Sequence, residues 1–490
     1  MNGSTGLFPP CGGCEGVTSR RPLRILEVAH GFPPFNMAGA EVFAHGLSRA
    51  LAARGHDVRV FHRISETSRA EYSLEHAEVD GLPVLRINNT FRAAHRFEQT
   101  YRNDVIDAAF GEYLAGVRPD VVQFHHVTCL STNLIAIASE RGVPVVFTLH
   151  DYWLICQRGQ FLKTDLSICR GQEDTECVKC LAGQLDLQRG HATVAALMKR
   201  TLPERTTPSG AALTRWMRAA YRLYAEALLV SQPAARAQVR TRMNHVREMC
   251  AKVDLFVAPS WFLRQKFIEF GIPEDRILYS PYGFDTSYYD APRRPRDGRV
   301  RFGYLGTWIP PKGVHVLIEA FNGIADERAT LHIYGHPLPY QGYEDYTERL
   351  KSMIRSPRIF LEGYYENRRV GEILSGLDVL VVPSIWFENS PLTIQEAFLA
   401  GVPVVTSDLG GMAELVQHET NGLLFRAGDA GDLRATLLRL LASPELRQRL
   451  RVTPRPLKSL HDSAAEHEQL FASLRVGRDI HAEAAPGAHS

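Results

Sequence analysis

The sequence predicts an α/β protein made of two doubly wound parallel-sheet domains in tandem. Short apolar runs of the kind that form buried parallel strands alternate with helical patterns. The alternation starts at Arg24, breaks after Trp153 and begins again near residue 299. The length of 490 residues also suits two or three domains, at roughly 100–200 residues each.

The elements follow from these patterns in chain order. Strands are predicted at 24–30, 57–61, 120–124, 144–149 and 253–258, and then at 301–306, 330–334, 359–361, 378–383 and 402–406. Helices are predicted at 41–53, 314–322 and 391–399. The predicted organisation is a flexible tail (1–22), a first domain (23–285) with an insert (156–250), a linker (286–298), a second domain (299–455), a helix returning to the first domain (456–476) and a second tail (477–490).

Composition excludes several classes of protein. The 45% hydrophobic and 22% charged fractions are those of a globular chain, not a disordered one. With 56 basic and 54 acidic residues, the net charge is +2, so we expect no nucleic-acid partner. We find no run of 18 apolar residues and no apolar core of a signal peptide at the start, so we expect a cytoplasmic protein.

Two loops that follow predicted strands could receive a phosphate. Ligands of such sheets bind at the carboxyl ends of the strands. Gly39 lies at a helix start, where a diphosphate could approach backbone N–H groups, although a plain tight turn explains it equally well. Lys312 follows two prolines just before a helix and suits a diphosphate, although a solvated loop lysine is the alternative.

The strongest signal lies between residues 384 and 397. Glu388 falls in the loop after a strand, Pro391 fits the first turn of a helix, and Glu396 lies further along that helix beside apolar residues. A carboxylate on an inward-packing helix needs a partner, and sugar or ribose hydroxyls are suitable ones. Two surface glutamates are the alternative.

These residues carry a family resemblance. Glu388, seven intervening residues and Glu396 resemble the E-x7-E signature of retaining glycosyltransferases with the GT-B fold. Residues 401–405, 410–414 and 421–425 resemble the carboxyl-terminal domain of glycosyltransferase group 1 (family 4), and residues 39–41 and 55–58 resemble its amino-terminal domain. The resemblance covers about residues 24–445 apart from the insert.

The resemblance implies two Rossmann-like domains facing a cleft and a hexosyltransferase activity. The donor would be a nucleotide-diphosphate sugar, and the acceptor a hydroxyl of a glycan, a lipid-linked sugar or a small molecule, as in polysaccharide biosynthesis. No cofactor would be required for catalysis. The implied catalytic residues are His150 and Glu388. The implied donor-binding residues are Gly39, Lys312, Tyr364, the backbone of Asn389, Ser390, Pro391 and Leu392, and Glu396.

One position departs from the family pattern, and two other functions stay open. Thr307 stands where the family often has an arginine, which leaves the phosphate clamp to Lys312 unless another arginine contributes. The same fold could serve as a nucleotide-sugar epimerase or phosphorylase, or as a non-catalytic scaffold that binds a partner through the basic insert.

The insert contains a cysteine cluster, which we define as Cys156, Cys169, Cys177 and Cys180. The closing Cys-x2-Cys is the spacing that wraps a tetrahedral metal, so the cluster predicts a closed structural zinc site. An iron–sulfur cluster, unligated thiols and a disulfide are the alternatives.

The insert also contains a basic amphipathic pattern at residues 213–228. Its apolar residues follow helical spacing while arginines fall on another face. Such a helix can lie on an anionic membrane, which would give a peripheral contact with the inner face of the membrane, but docking on the protein's own domain with a solvated arginine face is the favoured interpretation.

Overall fold

The structure is a computed structural model that describes residues 21–182, 184–185, 232–289, 297–451 and 457–484. Residues 213–228, for which the amphipathic helix is predicted, lie outside these ranges, so the membrane contact stays a prediction. Among the described residues, no helix combines the length and the hydropathy needed to cross a bilayer.

The first half of the chain forms an eight-stranded sheet. Its strands are β1 (Arg24–Ala29), β2 (Asp57–Ile64), β3 (Leu74–Val79), β4 (Leu82–Asn88), β5 (Val121–Phe124), β6 (Val145–Thr148), β7 (Leu255–Ala258) and β8 (Ile277–Tyr279). The order is β3-β4-β2-β1-β5-β6-β7-β8, and every neighbouring pair is parallel except β3 and β4.

The second half forms a six-stranded, fully parallel sheet. Its strands are β9 (Val300–Leu305), β10 (Ala329–Tyr334), β11 (Ile359–Gly363), β12 (Val379–Val382), β13 (Val404–Ser407) and β14 (Gly422–Phe425), in the order β11-β10-β9-β12-β13-β14. All ten strands predicted from sequence are present; β3, β4, β8 and β14 are additional.

Helices cover both faces of each sheet. The described α-helices are α1 (Gly39–Ala53), α2 (Asp104–Val117), α3 (Asn133–Glu140), α4 (Asp174–Leu181), α5 (Pro233–Ala251), α6 (Trp261–Phe270), α7 (Val314–Asn322), α8 (Tyr346–Met353), α9 (Val370–Ser375), α10 (Leu392–Leu399), α11 (Gly410–Leu415), α12 (Ala430–Ala442), α13 (Pro444–Leu450) and α14 (Leu460–Ala484). Ile25 and Leu26, which point to opposite faces of β1, belong to two different apolar cores, as a doubly wound sheet requires.

The antiparallel β3–β4 hairpin was not predicted from sequence. Its two strands are joined by Asp80 and Gly81, which both adopt left-handed backbone conformations with φ of 48° and 81°. A two-residue Asp-Gly loop of this kind matches the twist of a hairpin. The Asp80-Gly81 dipeptide is therefore the sequence signal for this hairpin.

The last described helix returns to the first half of the chain. Helix α14 packs on α1, where Arg54 Nε donates to Glu468 at 2.9 Å and Leu470 and Phe471 join the core beneath α1. Helix α14 therefore covers part of the apolar core on one face of the first sheet.

Candidate active site

Glu388 is a buried carboxylate of the second domain that accepts three hydrogen bonds. It lies in the loop after β12, only 5% exposed. Its Oε1 accepts from Lys312 Nζ and Ser384 Oγ, both at 2.7 Å, and from Trp386 Nε1 at 2.9 Å. Sequence reasoning assigned no role to Ser384 or Trp386. The structure thus brings together two of the predicted site residues and holds their charges in one place.

Lys312 owes its position to a tight backbone turn. It ends a 3-10 turn, Pro310–Lys312, and Gly313 follows with a left-handed φ of 71°. A Cβ at Gly313 would lie 1.9 Å from the backbone oxygen of Pro383, so only glycine allows the two loops to approach. Thr307, the departure from the family pattern, adds no charge; its carbonyl accepts from the Tyr304 hydroxyl at 2.7 Å.

Glu396 lies on α10, eight positions after Glu388. Its Oε1 accepts from the Tyr289 hydroxyl at 3.1 Å. Burial raises the pKa of Glu396 from 4.5 to about 7, and the Tyr289 hydrogen bond offsets only part of that effect. With a pKa of about 7, Glu396 is partly protonated at neutral pH, and its carboxyl can accept hydrogen bonds from further donors.

The segment from Asn389 to Leu392 connects Glu388 to α10. Asn389 and Ser390 are buried, and Ser390 Oγ accepts from Gln395 Nε2 at 2.9 Å. Pro391 has no N–H and precedes the first helical residue, so the backbone donors predicted for this segment reduce to Asn389, Ser390 and Leu392. Pro391 was expected inside the first turn and instead lies at the N-cap.

Asn389 also crosses to the first domain. Its Oδ1 accepts from Ser260 Oγ at 2.6 Å, and its Nδ2 donates to the backbone oxygen of His150 at 3.3 Å. A Cβ at Gly411 would lie 1.5 Å from the backbone oxygen of Asn389, so the loop that contains Asn389 packs directly on α11. Asn389 is thus a structural link between the two halves of the cleft.

Gly39 faces the same segment from the first domain. It is the first residue of α1, and a Cβ placed on it would lie 3.3 Å from Leu392 Cδ1, at the start of α10. The amino-terminal ends of two helices therefore meet across the cleft. Helix amino termini carry partial positive charge and free N–H groups, so this meeting point favours an anion.

His150 follows β6 and is enclosed by aromatic and histidine side chains. Its Nε2 lies 3.1 Å from His125 Nδ1, and its Nδ1 lies 2.7 Å from the Tyr282 hydroxyl. Burial, reinforced by nearby histidines, holds the pKa of His150 well below its ordinary value, so the ring is neutral at neutral pH. Both ring nitrogens are engaged by the protein, and the catalytic role that the family resemblance implies for His150 stays a prediction.

Further polar residues near His150 were not singled out from the sequence. Glu27, fully buried on β1, lies 2.8 Å from His125 Nε2. His30 Nε2 lies 3.1 Å from Glu41, and its ring packs on that of His126 at 4.5 Å. Burial, the largest single effect, would raise the pKa of Glu41, but the charge and hydrogen bond of His30, together with a backbone hydrogen bond and His126, lower it overall. A charged residue inside an apolar strand, and two histidines directly after β5, were the available signals.

Tyr364 lies after β11 with 67% of its surface exposed. Its ring meets that of His336 edge to face, with centroids 5.6 Å apart. An exposed ring of this kind is free to stack on a planar group.

The cysteine cluster lines a small cavity of about 40 Å³ beside α4 and α5. Cys169 Sγ donates to the backbone oxygen of Gly171 at 3.0 Å. Burial raises the pKa of Cys177 to about 12, so this thiol keeps its proton. Across the described ranges, no three His, Cys, Asp or Glu side chains are grouped so that they could hold a metal ion. The closed tetrahedral zinc site predicted from the spacing is therefore not assembled in this structure.

Comparison with known proteins agrees with this geometry. The family model described as "Glycosyltransferase Family 4" matches residues 37–288, just over half of the chain, and the model "Glycosyl transferases group 1" matches residues 299–443. The chain belongs to glycosyltransferase family 4.

Individual relatives of this family 4 glycosyltransferase extend over most of its length. The glycogen synthase of Mycobacterium tuberculosis is 25% identical over 447 residues, which cover 87% of this chain and 88% of that protein. The structure of Anabaena HepE with UDP and glucose superimposes with a TM-score of 0.59 at 16% identity, over 92% of this chain and 100% of that one. Sucrose-phosphate synthase of Thermosynechococcus elongatus gives 0.60 at 17% identity, over 93% and 100%.

These comparisons establish the fold and the enzyme class. The protein has the GT-B arrangement of two parallel-sheet domains that was predicted, and it is a glycosyltransferase.

Proposed function

We propose that this enzyme is a retaining hexosyltransferase that takes its sugar from a nucleotide-diphosphate sugar and places it on a hydroxyl of a polysaccharide precursor. The observation that carries the proposal is the meeting of two helix amino termini at Gly39 and Leu392, next to the Lys312–Glu388 pair. A diphosphate at this point would lie against partial positive charge from both domains, without a metal ion to hold it.

The donor's other parts suit the surrounding groups. The ribose hydroxyls are proposed to donate to Glu396, whose second oxygen is not needed by Tyr289. The base is proposed to stack on the exposed ring of Tyr364. The sugar would then lie beside Glu388, where hydroxyl groups replace or extend the donors already bound there. The relatives' names support a sugar donor of this class: HepE was solved with UDP-glucose as well as UDP.

The chemistry follows from the charges. The bond between the anomeric carbon and the diphosphate oxygen breaks, and the nucleoside diphosphate leaves with the electron pair. The acceptor oxygen forms the new bond, and its proton goes to the departing phosphate oxygen. Glu388 Oε1 already accepts from three donors, which makes it a poor nucleophile. Retention is therefore assigned to attack on the same face from which the diphosphate departs.

The acceptor is proposed to enter a wide cavity of about 880 Å³ in the first domain. Aromatic and cationic side chains, Phe91, Trp153 and Arg96, line it together with amide and hydroxyl groups. Such a lining suits a saccharide that carries an anionic group, as a phosphorylated or lipid-linked sugar does. Trp153 also packs on His126, with ring centroids 5.7 Å apart, so the cavity adjoins the histidine-rich wall of the cleft.

A panel of UDP-, ADP- and GDP-sugars tests this proposal. We expect calorimetry to show binding of one donor, and nuclear magnetic resonance of the product to show an unchanged anomeric configuration. Arg96→Ala is expected to raise the KM for the acceptor and leave donor affinity unchanged. If no nucleotide sugar binds, the proposed donor is refuted; if the anomeric configuration of the product is inverted, same-face attack is refuted.

A further inference from the structure

A carboxylate with no sequence-assigned role lies in the middle of the first sheet. Glu27 is on β1, and its surface is fully buried. Its Oε2 lies 2.8 Å from His125 Nε2, while its Oε1 has no hydrogen-bond partner among the described residues. Burying a carboxylate in a sheet is costly, so a purely structural role would be served better by an apolar residue.

From Glu27, hydrogen-bonding groups run in a single line towards the donor-binding domain. His125 Nδ1 lies 3.1 Å from His150 Nε2, and His150 Nδ1 lies 2.7 Å from the Tyr282 hydroxyl. Asn389 Nδ2 donates to that hydroxyl at 3.4 Å. The rings of His150 and Tyr282 stack nearly parallel, 14° apart. We call these five residues the Glu27–Asn389 relay.

The carboxylate sets the direction of every bond in the relay. A carboxylate oxygen only accepts, so His125 Nε2 carries a hydrogen and donates it. In neutral His125 the other nitrogen then accepts from His150 Nε2–H. His150 Nδ1 in turn accepts from the Tyr282 hydroxyl, whose oxygen is left to accept from the Asn389 amide. Every hydrogen in this arrangement has an acceptor, and only Glu27 Oε1 is left without a donor among the described residues.

The opposite direction leaves one group unsatisfied. If His125 also carried a hydrogen on Nδ1, His150 would have to accept at Nε2 and donate at Nδ1. Tyr282 would then receive hydrogens from both His150 and Asn389, and its own hydroxyl hydrogen would have no acceptor in the relay. A buried polar group without a partner is costly. Glu27 is thus the end of the relay that determines the whole order.

We propose that Glu27, acting through His125, is a positioning residue that fixes the tautomer of His150 and, through Tyr282, reinforces the orientation of the Asn389 amide beside Glu388, which the backbone oxygen of His150 also holds. Asn389 joins the sugar-side carboxylate to the start of α10, and its Oδ1 is already held by Ser260 of the first domain. A correctly turned Asn389 amide therefore binds the donor segment to the first domain at two points. The proposal rests on the proposed function for its effect on catalysis, but not for its effect on the tautomer.

The variants needed for the test are Glu27→Leu, Glu27→Gln and Gln123→Leu. Glu27→Leu removes the acceptor. Glu27→Gln keeps an oxygen that can take its place and serves as the conservative rescue. Gln123 is the matched control: it is paired with Glu27 on the adjacent strand, is equally buried and bonds to Thr148 Oγ1, outside the relay.

The first readout is the nitrogen-15 spectrum of the histidine rings in the full-length protein. The His150 signals are assigned by their loss in His150→Gln. We expect the Nε2–H tautomer in the wild type and in Gln123→Leu, a change to Nδ1–H in Glu27→Leu, and an intermediate population in Glu27→Gln. A wild-type His150 in the Nδ1–H form, or a Glu27→Leu protein that keeps Nε2–H, overturns the proposal.

The second readout separates positioning from folding. Glu27→Leu is expected to lower kcat about tenfold with the donor KM within about threefold, because the donor contacts proposed for Lys312, Tyr364 and Glu396 lie on the second domain, outside the relay. Glu27→Gln should recover part of this rate, and Gln123→Leu should keep the wild-type rate. An equal loss in Gln123→Leu would show a general core effect and overturn the positioning role. A wild-type protein that turns over no donor refutes the proposed function, and the ring spectra then decide the relay alone.

Discussion

Replacing Glu396 by glutamine should change both the stability and the donor affinity of this enzyme, in opposite directions. The pKa of Glu396 is raised from 4.5 to about 7 by burial, so the folded protein holds this proton more tightly than the unfolded chain. The folding penalty is absent below about pH 4.5 and grows as the pH rises to about 7. A difference of about 2.5 pH units corresponds to at most about 3 kcal/mol. Because the side chain keeps some solvent contact in the cleft, we expect about 2 kcal/mol.

Urea unfolding without ligand measures the stability effect. Glu396→Gln should be more stable than the wild type by about 2 kcal/mol at pH 8 and nearly equal to it at pH 4. Glu319→Gln, an exposed change on α7, should show no difference at either pH. A Glu396→Gln protein that is less stable at pH 8 would refute the reasoning, because it would show that the ionised carboxyl is stabilised in the apo protein.

Donor binding should show the reverse dependence. Ribose hydroxyls donate best to an ionised carboxylate, so wild-type affinity should fall about tenfold between pH 8 and pH 6, as a group with a pKa near 7 takes up its proton. Calorimetry with an intact nucleotide sugar avoids the titration of a terminal phosphate. Glu396→Gln should bind more weakly at pH 8 and lose most of this pH dependence; a variant as pH-dependent as the wild type would exclude Glu396 as the titrating group.

Three further changes probe the rest of the site and the insert. Lys312→Ala should weaken binding of a nucleoside diphosphate about tenfold or more, since a charged hydrogen bond is worth about 1.5–3 kcal/mol. Lys351→Ala, an exposed control whose lysine is paired with Glu348, should leave this affinity unchanged. Equal losses of affinity in the two variants would point to general electrostatics. Gly411→Ala should lower the yield of folded protein, because its Cβ would lie 1.5 Å from the backbone oxygen of Asn389. Gly39→Ala, whose Cβ would lie 3.3 Å from Leu392, should fold and lose mainly donor affinity in a thermal-shift titration. A Gly411→Ala protein with the wild-type melting temperature would show that the Asn389 loop moves freely. Elemental analysis of the purified protein tests the zinc site that the cysteine spacing predicts and that the described structure does not assemble. About one equivalent of zinc would support that prediction, and less than about a tenth of an equivalent would end it.

Local sequence pattern determined the architecture, because the spacing of apolar residues and the positions of turn-forming residues depend only on neighbours along the chain. Buried parallel strands appear as short apolar runs, and all ten predicted strands lie where the runs are. The Glu388–Glu396 spacing also placed one carboxylate in a loop and the other on the following helix. The Asp80-Gly81 dipeptide is a local signal of the same kind for the antiparallel hairpin, although the hairpin was not predicted.

The hydrogen-bond partners of the site side chains could not be predicted from the sequence, because the two partners lie far apart in the chain. Glu27 meets His125 across 98 positions, and Asn389 reaches Ser260 across 129. The Cys-x2-Cys spacing makes Cys177 and Cys180 neighbours on α4. Whether all four sulfurs converge depends on the packing of two loops and α5, and among the described residues they line a cavity without forming a ligand set. His150 could be named as a site residue from its strand, whereas the engagement of both its ring nitrogens depended on Tyr282, 132 positions away. The sequence by itself therefore determined the fold, the enzyme family and the positions where chemistry is expected. Only the tertiary structure decided the partners and charge states at those positions, because burial and hydrogen bonding are set by the packing of distant segments.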